Sequence, residues 1–563
     1  MIRERETGRP LGVVYTPPDV AGPMVRLVLE PLVRGKSADE ILALRVCDPA
    51  IGAGAFLIDV VDVLAEHLAA TGMELADAKR RVATTCIAGV DIDREAVAAA
   101  RAATGCEALR VADALELDWP RAYPEVFARG GFDVVVGNPP YIRQEMLANK
   151  QPLRGFASYD GVADLYVYFI ELAHRLARDG GRYCLIVPNK WMSAAYGRAL
   201  RTFLAEQGSV DGVVDFSRVP VFAEADAFPC IVWGTRRSGN EAPIAAVRPA
   251  ARVPIERALR SGIAHQRDRW SAGPWHIDAP EERELLDRLE REHRPLGDRM
   301  GKPSRGVVTG CNRAFVIDQE TRDRIVSEEP AAAELIRPFL KGRDVRRWKP
   351  APIERWIVLI DRGTSLAELP VVRAHLEQFR AVLQPRPPTW KAPWSGRKPG
   401  SYKWFELQDP VVPLAKSRAP RLLYQDIQTG PACCLDREGE LVPDTTVWIV
   451  PSSDLVLLAV LNSRLYGWYA QRRFPPALNG AVRPKLDYMR AFPLVEPSIE
   501  LRRRIEQLVE RRLVGGRCDD AIDDLVAEAY ALTAEERALV RGQDASETRS
   551  ALCEPASAPR PTR

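Results

Sequence analysis

A chain of 563 residues is long enough for two or three domains, each with its own core. Its formal net charge of +3 creates no global basic field, so any charge meant for nucleic acid must be local. Ten scattered cysteines without a Cys-x-x-Cys pair, no apolar run of membrane-spanning length and a charged start, Met1 to Arg9, argue against a disulfide scaffold, a zinc site, a membrane protein or a secreted one; the expectation is a cytoplasmic protein with reduced thiols and no metal.

In chain order, the first predicted elements are those of a nucleotide-binding α/β domain. Arg45-Val46-Cys47 reads as a short strand and Asp48-Pro49-Ala50-Ile51-Gly52-Ala53-Gly54 as a turn. Leu57 to Leu68, apolar at spacings of three and four, reads as a helix. Glycines between strand and helix let a ligand approach the backbone, and the helix start offers N–H donors, though many α/β proteins carry such a turn for packing alone. A second strand, Cys86 to Val90, ends in Asp91-Ile92-Asp93. Asp91 stands where a carboxylate accepts both hydroxyls of a ribose, and Asp93 is the better N-cap for a helix from Arg94 to Ala102. Leu109 to Asp113 is another short strand ending in an acid, suited to the amino group of an adenine ring.

The apolar run Phe132 to Gly137 then delivers Asn138-Pro139-Pro140-Tyr141 to a strand end. The bland reading is a proline-rich turn. The chemical reading is activation of a planar exocyclic amine, whose lone pair is delocalised until something localises it. The Asn138 amide oxygen and the Pro139 carbonyl can each accept one N–H, the ring of Pro139 fixes φ and holds that carbonyl, and Tyr141 can stack on a base flipped out of a duplex. Three acid-tipped strands followed by this one form a constellation that chance does not readily supply.

These motifs resemble the N6-adenine DNA methyltransferases of the gamma arrangement found in type II restriction–modification systems. The match opens at Gly12-Val13-Val14-Tyr15-Thr16-Pro17-Pro18-Asp19-Val20 and continues past the catalytic motif with a helix from Asp164-Leu165-Tyr166 to Leu176 and a turn and strand from Gly180 to Asn189. The resemblance implies S-adenosylmethionine as cofactor and double-stranded DNA as substrate. It implies that Thr16 binds the methionine carboxylate and that Asp48 to Gly54, with Ala50 and Gly52, line the methionine. Asp91 would take the ribose, Ile92 the adenine ring and Asp113 its amino group. A second aromatic residue is expected to clamp the target adenine opposite Tyr141; Phe222 is the best positional match, and its rival Phe228 reads as a core residue. Ala114 departs from the family, which can carry an aromatic residue there, so the adenine pocket is either looser or filled by Leu115.

The second half carries the basic and aromatic material. Arg337, Lys341, Arg343, Arg346, Arg347, Trp348 and Lys349 form one cluster; Arg386, Trp390, Lys391, Trp394, Arg397, Lys398, Tyr402, Lys403 and Trp404 form another. Any single arginine here is more readily a solvated surface residue, but as clusters they read as DNA-facing. Segments such as Gly306 to Phe315, Leu340 to Val345, Leu458 to Tyr469 and Arg483 to Tyr488 resemble the family's target-recognition parts, so the likeness runs from about Leu11 to about Leu539.

The expected architecture is α/β: a Rossmann-like S-adenosylmethionine-dependent methyltransferase domain over 1–240, then a mixed α+β target-recognition domain over 241–500, C-terminal helices over 501–543 and a disordered tail over 544–563. The stretch Arg236 to Arg252 reads as the linker between the first two. Enzymes that methylate an RNA base or a protein glutamine use the same Asn-Pro-Pro-Tyr chemistry, but they typically lack the upstream Thr-Pro-Pro segment joined to a long carboxy-terminal part. A fused nuclease is not expected, since the catalytic domain begins almost at the first residue and no Asp plus Glu-x-Lys pattern is present; a separate restriction endonuclease is the alternative. A module that only binds DNA would have no use for the Asn138 to Tyr141 set.

Overall fold

The computed structural model describes residues 16–147, 149–217, 219, 221, 228–237, 242–249, 253–390, 393–477 and 480–542. The chain divides into two compact units, with the boundary between Ile277 and Asp278.

Nine strands of the first unit form one sheet: β1 (Val46–Asp48), β2 (Ile87–Asp91), β3 (Arg110–Val111), β4 (Phe132–Gly137), β5 (Ala177–Pro188), β6 (Val210–Asp215), β7 (Pro229–Thr235), β8 (Ile244–Val247) and β9 (Ile263–His265). Their order is β3-β2-β1-β4-β5-β7-β6-β8-β9. The first five run parallel, and β7 is antiparallel to both β5 and β6. Strand β8, inside the stretch read as a linker, pairs parallel with β6, and β9 pairs antiparallel with β8.

Both faces of the central strands β1 and β4 are covered, which is why every residue of the two is buried, whereas β3 at one edge of the sheet is exposed. Val134 and Val136 of β4, with Cys184 and Ile186 of β5, join an apolar cluster with the helices Pro18–Val33 and Ala55–Ala70. Val135, Tyr183, Leu185 and Val187 join another with the helix Tyr166–Leu176. The buried acid within β4, Asp133, accepts the Arg45 amide at 2.8 Å and the Arg178 Nε at 2.7 Å, so its charge is compensated. Strand order turns back between β1 and β4, and in such sheets ligands bind at the carboxyl ends beside that reversal.

The second unit is mixed α+β. Its strands are β10 (Arg294–Pro295), β11 (Ser304–Arg305), β12 (Val316–Asp318), β13 (Ile336–Leu340), β14 (Arg355–Val358), β15 (Arg421–Gln425), β16 (Cys433–Asp436), β17 (Val442–Pro443), β18 (Val447–Val450) and β19 (Pro493–Leu494). They form a sheet β11-β18-β15-β16, a sheet β12-β14-β13-β17 and a pair β10-β19. The C-terminal helices begin at Ile499 and share an apolar cluster with the helix Pro280–Glu292: Ile505, Val509 and Ile522 lie in it with Leu285 and Leu289. No helix among the described residues is long and apolar enough to cross a membrane.

Candidate active site

The sheet order lines up the carboxyl ends of its parallel strands. Asp91 closes β2, Asp48 closes β1 and Asn138 follows β4, while Asp113 lies two residues past β3. The reversal falls between Asp48 and Asn138, so these two groups flank the place where a ligand is expected.

The loop after β1 is tied to the loop after β2. The Gly52 N–H donates to Asp91 Oδ2 at 2.9 Å, and the Asp93 N–H donates to Asp91 Oδ1 at the same distance. Asp93, not Asp91, caps the following helix by accepting the Glu95 amide at 2.8 Å. Gly52 adopts φ +53°, and a Cβ built on it would meet nothing within 4 Å, so open space lies over this loop. Ile92 presents a 58% exposed side chain beside Asp91. Asp113 is exposed and accepts the Leu115 amide at 3.0 Å. Ala114 is buried in the sheet's second cluster and Leu115 is half-buried against it.

Asp48 is fully buried. Its Oδ1 accepts the Ala50 amide at 2.9 Å, and its Oδ2 has no hydrogen-bond partner among the described residues. Burial pushes its carboxyl up to about 8, against the lowering by the Ala50 N–H, and the Asp91 charge adds to the rise. It lies directly under Gly137: a Cβ there would come within 2.6 Å of Asp48 Oδ1. A buried acceptor of this kind suits a ligand that brings a cation, just as Asp91 suits a diol and Ile92 a flat ring. The ammonium, ribose and adenine of S-adenosylmethionine would find in the three an acidic group, a diol acceptor and an apolar face, and on that chemistry the residues fit the group.

On the other side of the reversal, Asn138 is half-buried and its Nδ2 donates to Thr16 Oγ1 at 3.0 Å. Sequence reading placed both residues near the ligand but did not anticipate their contact. Pro139 is buried. Tyr141 packs its ring against the first apolar cluster of the sheet, and burial raises its phenol well above the ordinary range. Val221, next to Phe222, packs on that same cluster; Phe222 itself lies outside the described residues. Phe228 is half-buried, and its carbonyl accepts the Asn189 N–H at 2.8 Å. Being the residue before β7, it reaches the same edge of the sheet from the opposite chain direction.

That edge also holds a polar node which sequence reading missed. Asp215, at the end of β6, accepts Asn189 Nδ2 at 2.8 Å, the Ser217 amide and hydroxyl at 3.0 Å each, and Arg248 Nε at 2.7 Å. The signal was present: Val213-Val214-Asp215 repeats the pattern of an apolar strand tipped by an acid.

Comparison with known proteins bears on this edge. Residues 103–222, which span β3 to the end of β6, match the model of the Eco57I restriction-modification methylase family. The type II methyltransferase M.PaeR7I of Pseudomonas aeruginosa is 28% identical over 540 residues, covering 88% of each chain. M.XhoI of Xanthomonas vasicola, another type II methyltransferase, is 24% identical over 94% of this chain and 98% of its own. The chain is thus similar to type II methyltransferases over nearly its whole length, and to the Eco57I restriction-modification methylase family over 103–222. Among solved structures, the type IIL restriction-modification enzyme MmeI in complex with DNA covers 94% of this chain and 77% of its own with a TM-score of 0.62; at 14% identity that likeness speaks for the fold.

The two basic clusters of the second unit are each split between the core and the surface. Arg337 is buried and donates to the carbonyls of Ala415, Lys416, Gly439 and Glu440. Arg397 is buried and donates to those of Leu383, Thr309, Glu406, Lys403 and Trp404, with its guanidinium over the Tyr402 ring. Trp348 is buried, with its Nε1 on Asp519 at 2.7 Å. These residues hold loops together, and their reading as DNA-facing is corrected accordingly. Arg343, Arg346, Arg347, Lys349, Arg386, Trp390, Lys398 and Lys403 are exposed, and Lys391 lies outside the described residues.

Proposed function

We propose that this protein transfers a methyl group from S-adenosylmethionine to the N6 of an adenine in double-stranded DNA, at a specific sequence, as the modification arm of a restriction–modification system. The observation that carries the reading is the placement of Asn138-Pro139 at the carboxyl end of β4, across the reversal point from the buried Asp48, whose following loop is tied to Asp91.

Thr16, Asp48, Ala50, Gly52, Asp91, Ile92 and Asp113 would hold the cofactor, with Asp91 as acceptor for its ribose hydroxyls and Asp48 as counter-charge to its ammonium, whose binding would draw the buried carboxyl from its protonated into its ionised form. When bound, S-adenosylmethionine supplies a sulfonium methyl group that is already electrophilic. The chain's own work is to orient and activate the amine. The Asn138 amide oxygen and the Pro139 carbonyl accept its two N–H groups and draw the nitrogen towards tetrahedral geometry, which frees its lone pair. Tyr141 stacks on the flipped base, with Phe222 assigned to the opposite face. Target recognition is assigned to the second unit through its exposed cations and Trp390, and the counterpart nuclease to a separate chain.

The test is methyl transfer from labelled S-adenosylmethionine to unmethylated DNA, with the product base identified and its site mapped by sequencing. N6-methyladenine at one short motif, absent with Asn138→Ala, supports the reading. Label on RNA or on a protein glutamine instead would overturn the substrate, and 4-methylcytosine would overturn the base.

A further inference from the structure

We propose that Lys190 takes a backbone phosphate of the target strand, beside the nucleotide whose base enters the catalytic turn, and that the loop from Asn189 to Gly197 is built to hold that charge in place. This rests on the DNA reading given above.

The position follows from strand register. β4 and β5 lie side by side and parallel, with Gly137 level with Leu185, so Asn138 comes level with Ile186. β4 ends there, whereas β5 runs on, paired with β7, as far as Pro188. At about 3.3 Å per residue, the three further residues to Asn189 raise a wall about 10 Å above Asn138, on the side where ligands bind. Lys190 is the next residue, in the turn Asn189–Met192 at the rim of that wall. A base that has left its duplex and reached Asn138 keeps its sugar and phosphates on the outer side. A cation at the rim is therefore placed for the backbone and not for the base.

The loop is held more firmly than a change of direction needs. At its start the Asn189 N–H donates to the Phe228 carbonyl at 2.8 Å, and its Nδ2 donates to Asp215 at the same distance. Arg201 is 2% exposed; it reaches back from the helix Arg198–Gln207 and donates to the carbonyls of Trp191 at 2.6 Å and Ala194 at 2.9 Å. The Trp275 N–H donates to the Met192 carbonyl at 2.7 Å, and the buried Trp191 ring lies 5.1 Å from that of Trp275. Gly197 passes so near Trp191 that a Cβ on it would lie 2.0 Å from the Trp191 oxygen. Within this loop the one charged side chain is Lys190, and it is exposed. It enters no ion pair among the described residues. Asp215, the acid that anchors the loop, has its charge offset by Arg248 Nε at 2.7 Å. A fixed root under one exposed ammonium suits a phosphodiester: the flexible stem adapts to the phosphate while its base stays in place. Extruding a base gives up its stacking, and a charge that meets the phosphate only in the extruded strand favours that form.

The experiment uses the full-length protein and a duplex carrying the methylation site, once mapped. Lys190→Ala and Lys190→Arg are compared with the parent in two readouts. One is the Kd for this duplex across a range of salt concentrations. The other is the fluorescence, at saturating protein, of 2-aminopurine placed at the target adenine, which rises when the base leaves the stack. Expected for Lys190→Ala is a slope of log affinity against log salt shallower by about one, with a smaller fluorescence rise and an unchanged Kd for S-adenosylmethionine. Lys190→Arg is expected to restore the slope, since the charge is kept. The decisive substitution is in the DNA: a neutral methylphosphonate at either phosphate flanking the target nucleotide. One of the two is expected to weaken binding by the parent several-fold and to weaken Lys190→Ala no further. An unchanged salt slope, or losses that add at both phosphates, would overturn the proposal. Label transferred by the parent to RNA or protein instead of DNA would sink the functional reading, and this proposal with it.

Discussion

The carboxyl edge of the first unit's sheet and the basic clusters of the second unit were both marked by polar residues in a recognisable company, yet only the first kept its polar groups where the pattern placed them. Asp48, Asp91, Asp113 and Asn138 sit at or just beyond strand ends because β-strand geometry and parallel topology leave one outlet for the residue after an apolar run. No such rule governs a cluster of arginines. Arg337 and Arg397 are drawn inward because turns expose carbonyls that helices and sheets do not satisfy, and a guanidinium with five donors closes several at once. A motif that includes its strand carries its position with it; a motif made of composition does not.

The contrast can be broken, beginning with the largest effect. Asn138→Ala is expected to cut the methyl-transfer rate by roughly 10²–10³, as for loss of a preorganised transition-state contact, with no change in melting temperature. Rates within a few-fold of the parent would show that the strand end is structural after all.

The next test concerns Asp48. Its carboxyl, held at about 8 by burial, keeps a proton that the unfolded chain surrenders near 3.8. The native state thus binds more protons across that window, so this group's contribution to stability is full below pH 4, falls as pH rises, and is lost above about 8. Asp48→Asn is expected to remove that decline and to be the more stable form at pH 9, by an amount on the order of a few kcal/mol. Native-state hydrogen exchange of β1 and β4 amides at pH 5 and pH 9 reads the difference; parallel pH profiles in the two proteins would refute it.

Arg397→Met removes the guanidinium donor from the carbonyls of Leu383 and Glu406 and is expected to destabilise the second unit by about 2–3 kcal/mol in urea unfolding. If it weakened DNA binding with stability intact, the original reading of that arginine would be restored. The smallest effect belongs to the exposed Lys403→Ala. Stability is expected to shift by under about 0.5 kcal/mol while the slope of log affinity against log salt falls by about one. No change in that slope would remove Lys403 from the DNA-facing set.

Much of the first unit was legible for a physical reason: β1, β2, β4 and β5 are apolar runs closed by punctuating residues, and Asp93 announces its cap by its place before Arg94–Thr104. Strand β8 hid because four residues between arginine-rich flanks carry little periodicity, and it is defined by its pairing with β6 on one side and β9 on the other. The contact of Thr16 with Asn138 could not be read from spacing, since it exists only once the helix Pro18–Val33 has docked. Arg397 was misread for a similar reason, its acceptors lying up to 88 positions away.

One topological detail bears on how such an edge can change. Because β7 is antiparallel to β6, the chain leaves the edge at Asp215 and returns to it at Pro229, one strand spacing away. The span between them is a closed excursion whose two feet are already held, at Asp215 by Ser217 and Asn189 and at Pro229 by the Phe216 amide. Lengthening it adds only closure entropy, about 0.6 kcal/mol for each doubling. The scaffold is therefore nearly indifferent to the number of residues between these two feet. Insertions and grafts here would be filtered by what they do to turnover, long before they are filtered by folding.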